Sequence, residues 1–193
     1  MIGRFIVVEG VRGSGKSSLI KLAKETMEAA GAPVLCLQDF GSDPFCESMR
    51  DFFLDPERAF NARIAIAYAS KVHLQEKHIV PALKEPRHVI VERWYHSIEA
   101  YLLYSNGVGP GMVAQANDLF QIKEPDLTVV CTVDLEVAME RLLKAGRKSN
   151  LFEERGEVFM KKVCRYYNSI CEGLQADTPE VGLDAILREV GLR

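Results

Sequence analysis

Four apolar residues, Phe5–Val8, run directly into Glu9-Gly10-Val11-Arg12-Gly13-Ser14-Gly15-Lys16-Ser17-Ser18. Gly10, Gly15, Lys16 and Ser17 fit the spacing G-x-x-x-x-G-K-[ST], with a strand in front and a helix, Ser17 to Ala30, behind. Strand, glycine loop and helix in that order restrict the chain to folds in which a loop leaves the carboxyl end of a buried strand. The residue types explain what such a loop can hold. Glycines let backbone N–H groups turn inward around phosphate oxygens, where a Cβ would stand in the way. Lys16 adds a point charge, the Ser17 hydroxyl can ligate Mg²⁺, and the stretch Gly10, Gly13, Ser14, Gly15, Lys16, Ser17 and Ser18 forms the cradle. The helix N-terminus adds its partial positive charge. A nucleoside triphosphate is the expected ligand; a plain glycine turn is the alternative.

The bounds set by composition agree. A chain of 193 residues suits one domain, here residues 1–193. A net charge of −3 argues against a surface that coats a nucleic-acid polymer. The N-terminus enters the first strand without the basic region, apolar core and cleavage site of a secretory signal. No apolar stretch approaches the ~18 residues of a membrane span. Cys36, Cys46, Cys131, Cys164 and Cys171 lack C-x-x-C spacing and are odd in number, as for free thiols in a reducing cytoplasm. Cys36 and Cys131 fall in expected buried strands, and Cys164 and Cys171 on one helical face. His73, His78, His88 and His96 show no metal-ligand spacing.

Four short continuous apolar runs, Phe5–Val8, Pro33–Leu37, His88–Val91 and Leu127–Val133, read as strands buried on both faces, with a weaker fifth near Gly173–Ala176. Helical patterns at Glu57–Leu83, Pro110–Phe120, Leu135–Lys144 and Glu154–Leu174 separate them. This alternation predicts an α/β fold with a parallel sheet, five-stranded if the weak run is a strand, and right-handed crossovers. Ligands in such sheets bind beyond the carboxyl ends of the strands. Those ends carry the glycine loop, then Gln38-Asp39-Phe40-Gly41, then Glu92-Arg93-Trp94 leading to Ser97 and Tyr101, then Asp134. Carboxylates, arginines and aromatics therefore converge beside the phosphate loop.

At this level of detail the chain resembles the thymidylate kinase family of nucleoside monophosphate kinases, along nearly its whole length. Val8-Glu9-Gly10 is similar to the family's V-E-G, and Ile79-Val80-Pro81-Ala82-Leu83 to I-x-P-A-L. Glu92-Arg93-Trp94 with Ser97, Ala100 and Tyr101 resembles D-R-[YW]-x-x-S-x-x-A-Y. Pro125-Asp126-Leu127-Thr128 matches P-D-L-T, Val133-Asp134 with Arg141 resembles V-D-P and its downstream R, and Phe152-Glu153 resembles R-[FY]-E. The chain departs from the pattern at Arg12, where the family has an acid, at Gln38-Asp39-Phe40-Gly41 in place of R-E-P-G, at Tyr68 with Val72 in place of F-x-x-x-R, and at Leu102.

The resemblance implies a three-layer P-loop kinase with a short lid at about 144–153, ATP and Mg²⁺ as cofactors, a small nucleotide acceptor and a homodimer. It implies transfer of the ATP γ-phosphoryl to dTMP or another pyrimidine deoxynucleotide. A deoxynucleoside kinase, a kinase for a modified pyrimidine and a nucleotide-gated regulatory module stay open beside it. By the same resemblance Lys16, Arg93 and Arg147 are the catalytic candidates, with Lys148 beside Arg147 in the lid. Arg12, Asp39, Tyr68, Arg93, Ser97 and Tyr101 are candidates for the acceptor, and Ser17 and Glu92 for the metal. Each has a plainer alternative: an ion pair for Arg93 and Glu92, a turn for Asp39, core packing for Tyr68 and Trp94, and a solvated basic turn for Arg147 and Lys148. The runs Lys71–Lys77 and Lys161–Arg165 read as solvated helix faces.

Overall fold

The computed structural model describes residues 3–55, 57–107, 111–147, 152–169 and 171–193. Five parallel strands, β1 (Phe5–Glu9), β2 (Val34–Gln38), β3 (His88–Glu92), β4 (Leu127–Cys131) and β5 (Leu174–Ala176), stand in the order β2-β3-β1-β4-β5. The weak fifth run is thus a strand. β1 is the central strand, and each of its five residues is buried. Val8 lies opposite Glu92 of β3, and Glu9 opposite Val130 of β4.

Because side chains alternate along a strand, β1 feeds two separate cores. Phe5 and Val7 join one cluster with Val89, Val91 and Val130, while Ile6 and Val8 join another with Ile90 and Val129. Helices α1 (Lys16–Ala29) and α9 (Pro179–Glu189) cover the second face through Leu19, Ala23, Met27, Ile186 and Leu187. The first face is covered by α3 (Phe60–Leu74), α5 (Tyr95–Ile98) and α8 (Glu157–Ser169), through residues such as Ala67, Ile98 and Val163. This is the three-layer arrangement expected from the alternation of strands and helices. Helices α2 (Pro44–Leu54), α4 (Val80–Lys84), α6 (Gly111–Leu119) and α7 (Leu135–Lys144) complete the set.

Several details differ from the sequence expectation. α2 and α9 were not foreseen, yet both carry start signals: Asp43 and Thr178 cap them, accepting from Phe45 N at 2.8 Å and Val181 N at 3.4 Å, and each has Pro at its first turn. β4 stops at Cys131, and α8 at Ser169, so Cys164 and Cys171 share a core without sharing a helix. All five cysteines are free. The long third helix breaks into α3, a π-helical segment (Gln75–Ile79) and α4. Pro81 explains the break, since it lacks the N–H that an α-helical ladder needs. The wide π turn also brings His73 and His78 onto one carboxylate, Asp43, at 3.1 and 2.9 Å. Five-residue spacing carries no such signal on a regular helix, which is why the histidines read as unrelated. No helix among the described residues is long and apolar enough to cross a membrane.

Trp94 is the largest fully buried side chain. It packs edge-on to Phe5 at 5.5 Å and donates its indole N–H to Lys123 O at 3.1 Å. Its place is the core, not the ligand pocket. Replacing Trp94 with Ala should cost about 3–5 kcal/mol of folding free energy; urea unfolding followed by circular dichroism measures it.

Candidate active site

The glycine loop closes between β1 and α1. Ser14 N donates to Val11 O at 3.2 Å, and Gly10, Gly13 and Gly15 all take positive φ. Gly15, at φ +101°, has open space where a Cβ would project, so the loop leaves a concavity there. Gly13 is held by packing instead: a Cβ would lie 2.4 Å from Ala138 O. Lys16 is 4% exposed and donates to Val11 O at 2.9 Å, with Glu92 Oε1 at 3.9 Å. Burial, followed by the nearby Arg93 charge, lowers its pKa to about 7. A bare ammonium is thus unfavourable there, and an anion in the loop would favour it. Ser17 Oγ donates to Glu92 Oε2 at 3.0 Å, so hydroxyl and carboxylate share the mouth of the cradle.

Arg93 follows β3 in a left-handed conformation, φ +74°. That strain, of order 1–3 kcal/mol for a non-glycine residue, is tolerated because its neighbours over-determine the turn. Arg93 N donates to Val8 O at 3.1 Å and Trp94 N to Glu9 Oε1 at 2.6 Å, tying the turn to β1. The guanidinium donates to Ser97 Oγ at 3.1 Å and Tyr167 OH at 3.4 Å, and lies over the Tyr101 ring at 5.4 Å. Ser97 and Tyr167 in turn donate to Glu9 Oε2 at 2.8 and 3.0 Å. Glu9 is completely buried, so a carboxylate hidden beneath the site aims the arginine that faces it. Among the described residues Arg93 makes these two hydroxyl contacts and no ion pair with Glu92 or Asp39, the alternative the sequence left open.

These groups border one cavity of about 660 Å³. Of the residues named from sequence, Arg12, Gly13, Gly15, Lys16, Ser17, Ser18, Asp39, Glu92, Arg93, Ser97, Tyr101 and Arg147 line it, as does Gln38. Gly10 sits at the base of the loop, and the Ser14 hydroxyl is buried without a hydrogen-bond partner among the described residues. Tyr68 is not brought to the cavity. It is 1% exposed, stacks on Phe120 at 5.4 Å and hydrogen-bonds Asn117 Oδ1 at 3.0 Å. Core packing accounts for it. Burial raises its phenol above the ordinary range. Lys148 and residues 149–151 of the expected lid lie outside the described residues; Arg141, on α7, donates to Gly13 O at 3.3 Å and also faces the cavity.

The cavity has residues that the sequence reading missed. Lys71, grouped there with a solvated face, is 1% exposed and donates to Asp39 Oδ2 at 2.8 Å, while Ser70 donates to Oδ1 at 2.9 Å. Asp39 is therefore a buried carboxylate with two partners. Adjoining it is an aromatic wall: Lys71 Nζ lies 5.7 Å from the Phe40 ring centre, Phe40 stacks on Phe53 at 4.9 Å, Phe53 meets Phe152 at 5.7 Å, and Tyr101 meets Phe152 at 4.8 Å. A flat apolar ligand group has a surface to rest on here. Glu9 was visible in the V-E-G motif as an acid ending a buried strand; Tyr167 had no local signal. Removing one hydroxyl from the Glu9 network, as Tyr167→Phe, should destabilise the fold by about 1–3 kcal/mol, because a buried carboxylate is left short of a donor; denaturant titration checks this.

Comparison with known proteins places this geometry. A family model described as thymidylate kinase matches residues 8–178. The chain is 34% identical over 167 residues to a thymidylate kinase of Pelotomaculum thermopropionicum, covering 84% of this chain and 77% of that one. It is 31% identical over 165 residues to a thymidylate kinase of Neisseria gonorrhoeae, covering 82% and 78%. In fold it matches the crystal structure of thymidylate kinase from Ehrlichia chaffeensis with a TM-score of 0.66 at 24% identity, covering 95% of this chain and 97% of that one. The strand order, the phosphate loop and the match across both halves of the site lead to one conclusion: this chain belongs to the thymidylate kinase family and has the α/β P-loop kinase fold.

Proposed function

We propose that the chain transfers the γ-phosphoryl group of ATP to a pyrimidine deoxynucleoside monophosphate, with dTMP the first candidate. The observation that carries this reading is the pairing of two cations on one cavity: Lys16 in the glycine cradle and Arg93 at the end of β3, near enough for its charge to lower the Lys16 pKa. One phosphate donor and one phosphate acceptor fit such an arrangement, and the family membership supports it.

Phosphoryl transfer asks the protein mainly for positioning and charge neutralisation. Loop N–H groups and Lys16 hold the donor's outer phosphates. Arg93, aimed by Ser97 and Tyr167, holds the acceptor phosphate, one of whose oxygens bonds to the γ-phosphorus as the bond to the ADP oxygen breaks. Arg141 and Arg147 offer further positive charge to the oxygens that gain it in the transition state. The aromatic wall of Phe40, Phe53, Tyr101 and Phe152 takes the acceptor base, and the Lys71–Asp39 pair borders the same space. Ser17 and Glu92 present a hydroxyl and a carboxylate 3.0 Å apart at the cradle mouth, a hard oxygen pair that suits Mg²⁺. When bound, Mg²⁺ supplies charge neutralisation to the phosphates.

The reading carries a cytoplasmic location, in keeping with five free thiols, and a homodimer, for which the exposed Met112 and Leu119 of α6 offer apolar surface.

An acceptor panel tests the assignment. With ATP and Mg²⁺, ADP release should require a pyrimidine deoxynucleoside monophosphate. Release with thymidine in its place, or with no acceptor, would defeat the proposal. Arg93→Ala should lower kcat/KM for the acceptor by about 10²–10³ while ATP affinity is kept.

The lowered pKa of Lys16 gives a pH test. Above about pH 7 the lysine is largely neutral in the free protein, and a bound triphosphate favours its charged form. ATP binding near pH 8 should therefore take up close to one proton, and affinity should fall by up to about tenfold per pH unit above 7. Calorimetry in buffers of different ionisation enthalpy reads the uptake, and Lys16→Met should abolish it.

A further inference from the structure

The π-helical turn that accommodates Pro81 has a second effect. On a regular α-helix residues five apart point in clearly different directions, whereas the wider turn sets His73 and His78 over the same carboxylate. His73 Nε2 lies 3.1 Å from Asp43 Oδ1, and His78 Nε2 lies 2.9 Å from Oδ2. Donor atoms of all three side chains fall within 4.8 Å of one another. The side chains are 16–32% exposed, so an ion can reach them from solvent. None of the three lines the nucleotide cavity.

We infer that Asp43, His73 and His78 form a binding site for a divalent transition-metal ion, zinc in particular.

The donor set selects the ion. Imidazole nitrogen is a favoured ligand for zinc and its neighbours in the first transition row, while Mg²⁺ seeks oxygen. Two imidazoles and a carboxylate on one side of an ion leave its remaining position for water. Zinc bonds of about 2.0–2.2 Å in tetrahedral geometry put neighbouring donors about 3.3–3.5 Å apart. Each ring nitrogen lies a few tenths of an ångström closer than that to one Asp43 oxygen, and all three donors fall within 4.8 Å, so small shifts of the side chains admit the ion. On binding, each Nε2 offers a lone pair, with a neutral ring carrying its proton on Nδ1 and a charged ring releasing one. The carboxylate is already held: Asp43 Oδ1 accepts Phe45 N at 2.8 Å, and the Phe45 ring packs on His73 at 4.4 Å. Such an ion would fasten the start of α2 to the end of α3. Asp39 and Phe40 lie just before that point, so the acceptor wall would be anchored by the same clasp.

The test uses the full chain, free of nucleotide and Mg²⁺, titrated with Zn²⁺ by calorimetry and with Co²⁺ by visible absorption. It is independent of the kinase reading. Expected are about one ion per chain, a rise in melting temperature with Zn²⁺, and Co²⁺ bands without thiolate charge transfer. His73→Gln and His78→Gln should each weaken zinc binding by about 10–100-fold and remove the thermal shift. His78→Gln leaves the Asp43 contact with Phe45 N in place, so the helix keeps its cap. Cys36→Ser should bind zinc as the parent does, since Cys36 is the one half-exposed thiol. No uptake by the parent chain, thiolate bands in the Co²⁺ spectrum, or unchanged affinity in both histidine variants would overturn the site.

Discussion

A single carboxylate beneath the central strand organises this protein. Glu9 ends β1 with no exposure, and a buried charge is costly unless its lone pairs are met. Here they are met by Trp94 N, Ser97 Oγ and Tyr167 OH, donors from the turn after β3, from α5 and from α8. The turn at 94–97 and α8, far apart in sequence, are thereby fixed to one carboxylate of β1. The strained turn at Arg93, the placement of its guanidinium and the packing of Trp94 all follow from that anchorage. Catalytic geometry and core packing are the same set of contacts in this region.

The electrostatics of the phosphate loop follow a related logic. Lys16 is enclosed and hydrogen-bonded to a loop carbonyl, while Glu92 keeps partial countercharge nearby. The loop is prepared for an anion, its lysine held, among the described residues, only by the loose 3.9 Å contact with Glu92 and the Val11 carbonyl. On the acceptor side, the Lys71–Asp39 pair gives the cavity a balanced polar edge against an aromatic wall. A ligand with a flat base at one end and a phosphate at the other meets matching surfaces at both.

Much of this was legible in the residues. The spacing of Gly10, Gly15, Lys16 and Ser17 requires a particular backbone, and the runs of β1, β3 and β4 require burial; the run at Pro33–Leu37 was read as buried too, but β2 is an edge strand that leaves Leu35 and Cys36 half-exposed. Arg93, Ser97 and Tyr101 were legible because the strand end that carries them must face the site. What escaped depends on distance in the fold. Lys71 looked solvated because nothing in its helix shows that Asp39 waits across a gap of 32 residues. Tyr68 was weighed as a stacking platform, but α6 lies against it and takes its hydroxyl. The clustering of His73 with His78 depended on a change of helical pitch, which Pro81 hints at without locating.

The pairing of β1 with β3 also limits how the chain can vary. Val8 faces Glu92, so the two carboxylates that close these neighbouring strands, Glu9 and Glu92, are offset by one residue in register. Since direction alternates with every residue, inserting or deleting one residue within Phe5–Glu9 would turn Glu9 toward the opposite core. Length changes that keep this register fall outside the strand, in the connections. The strands behave as a fixed ruler, against which loops of very different size can be exchanged.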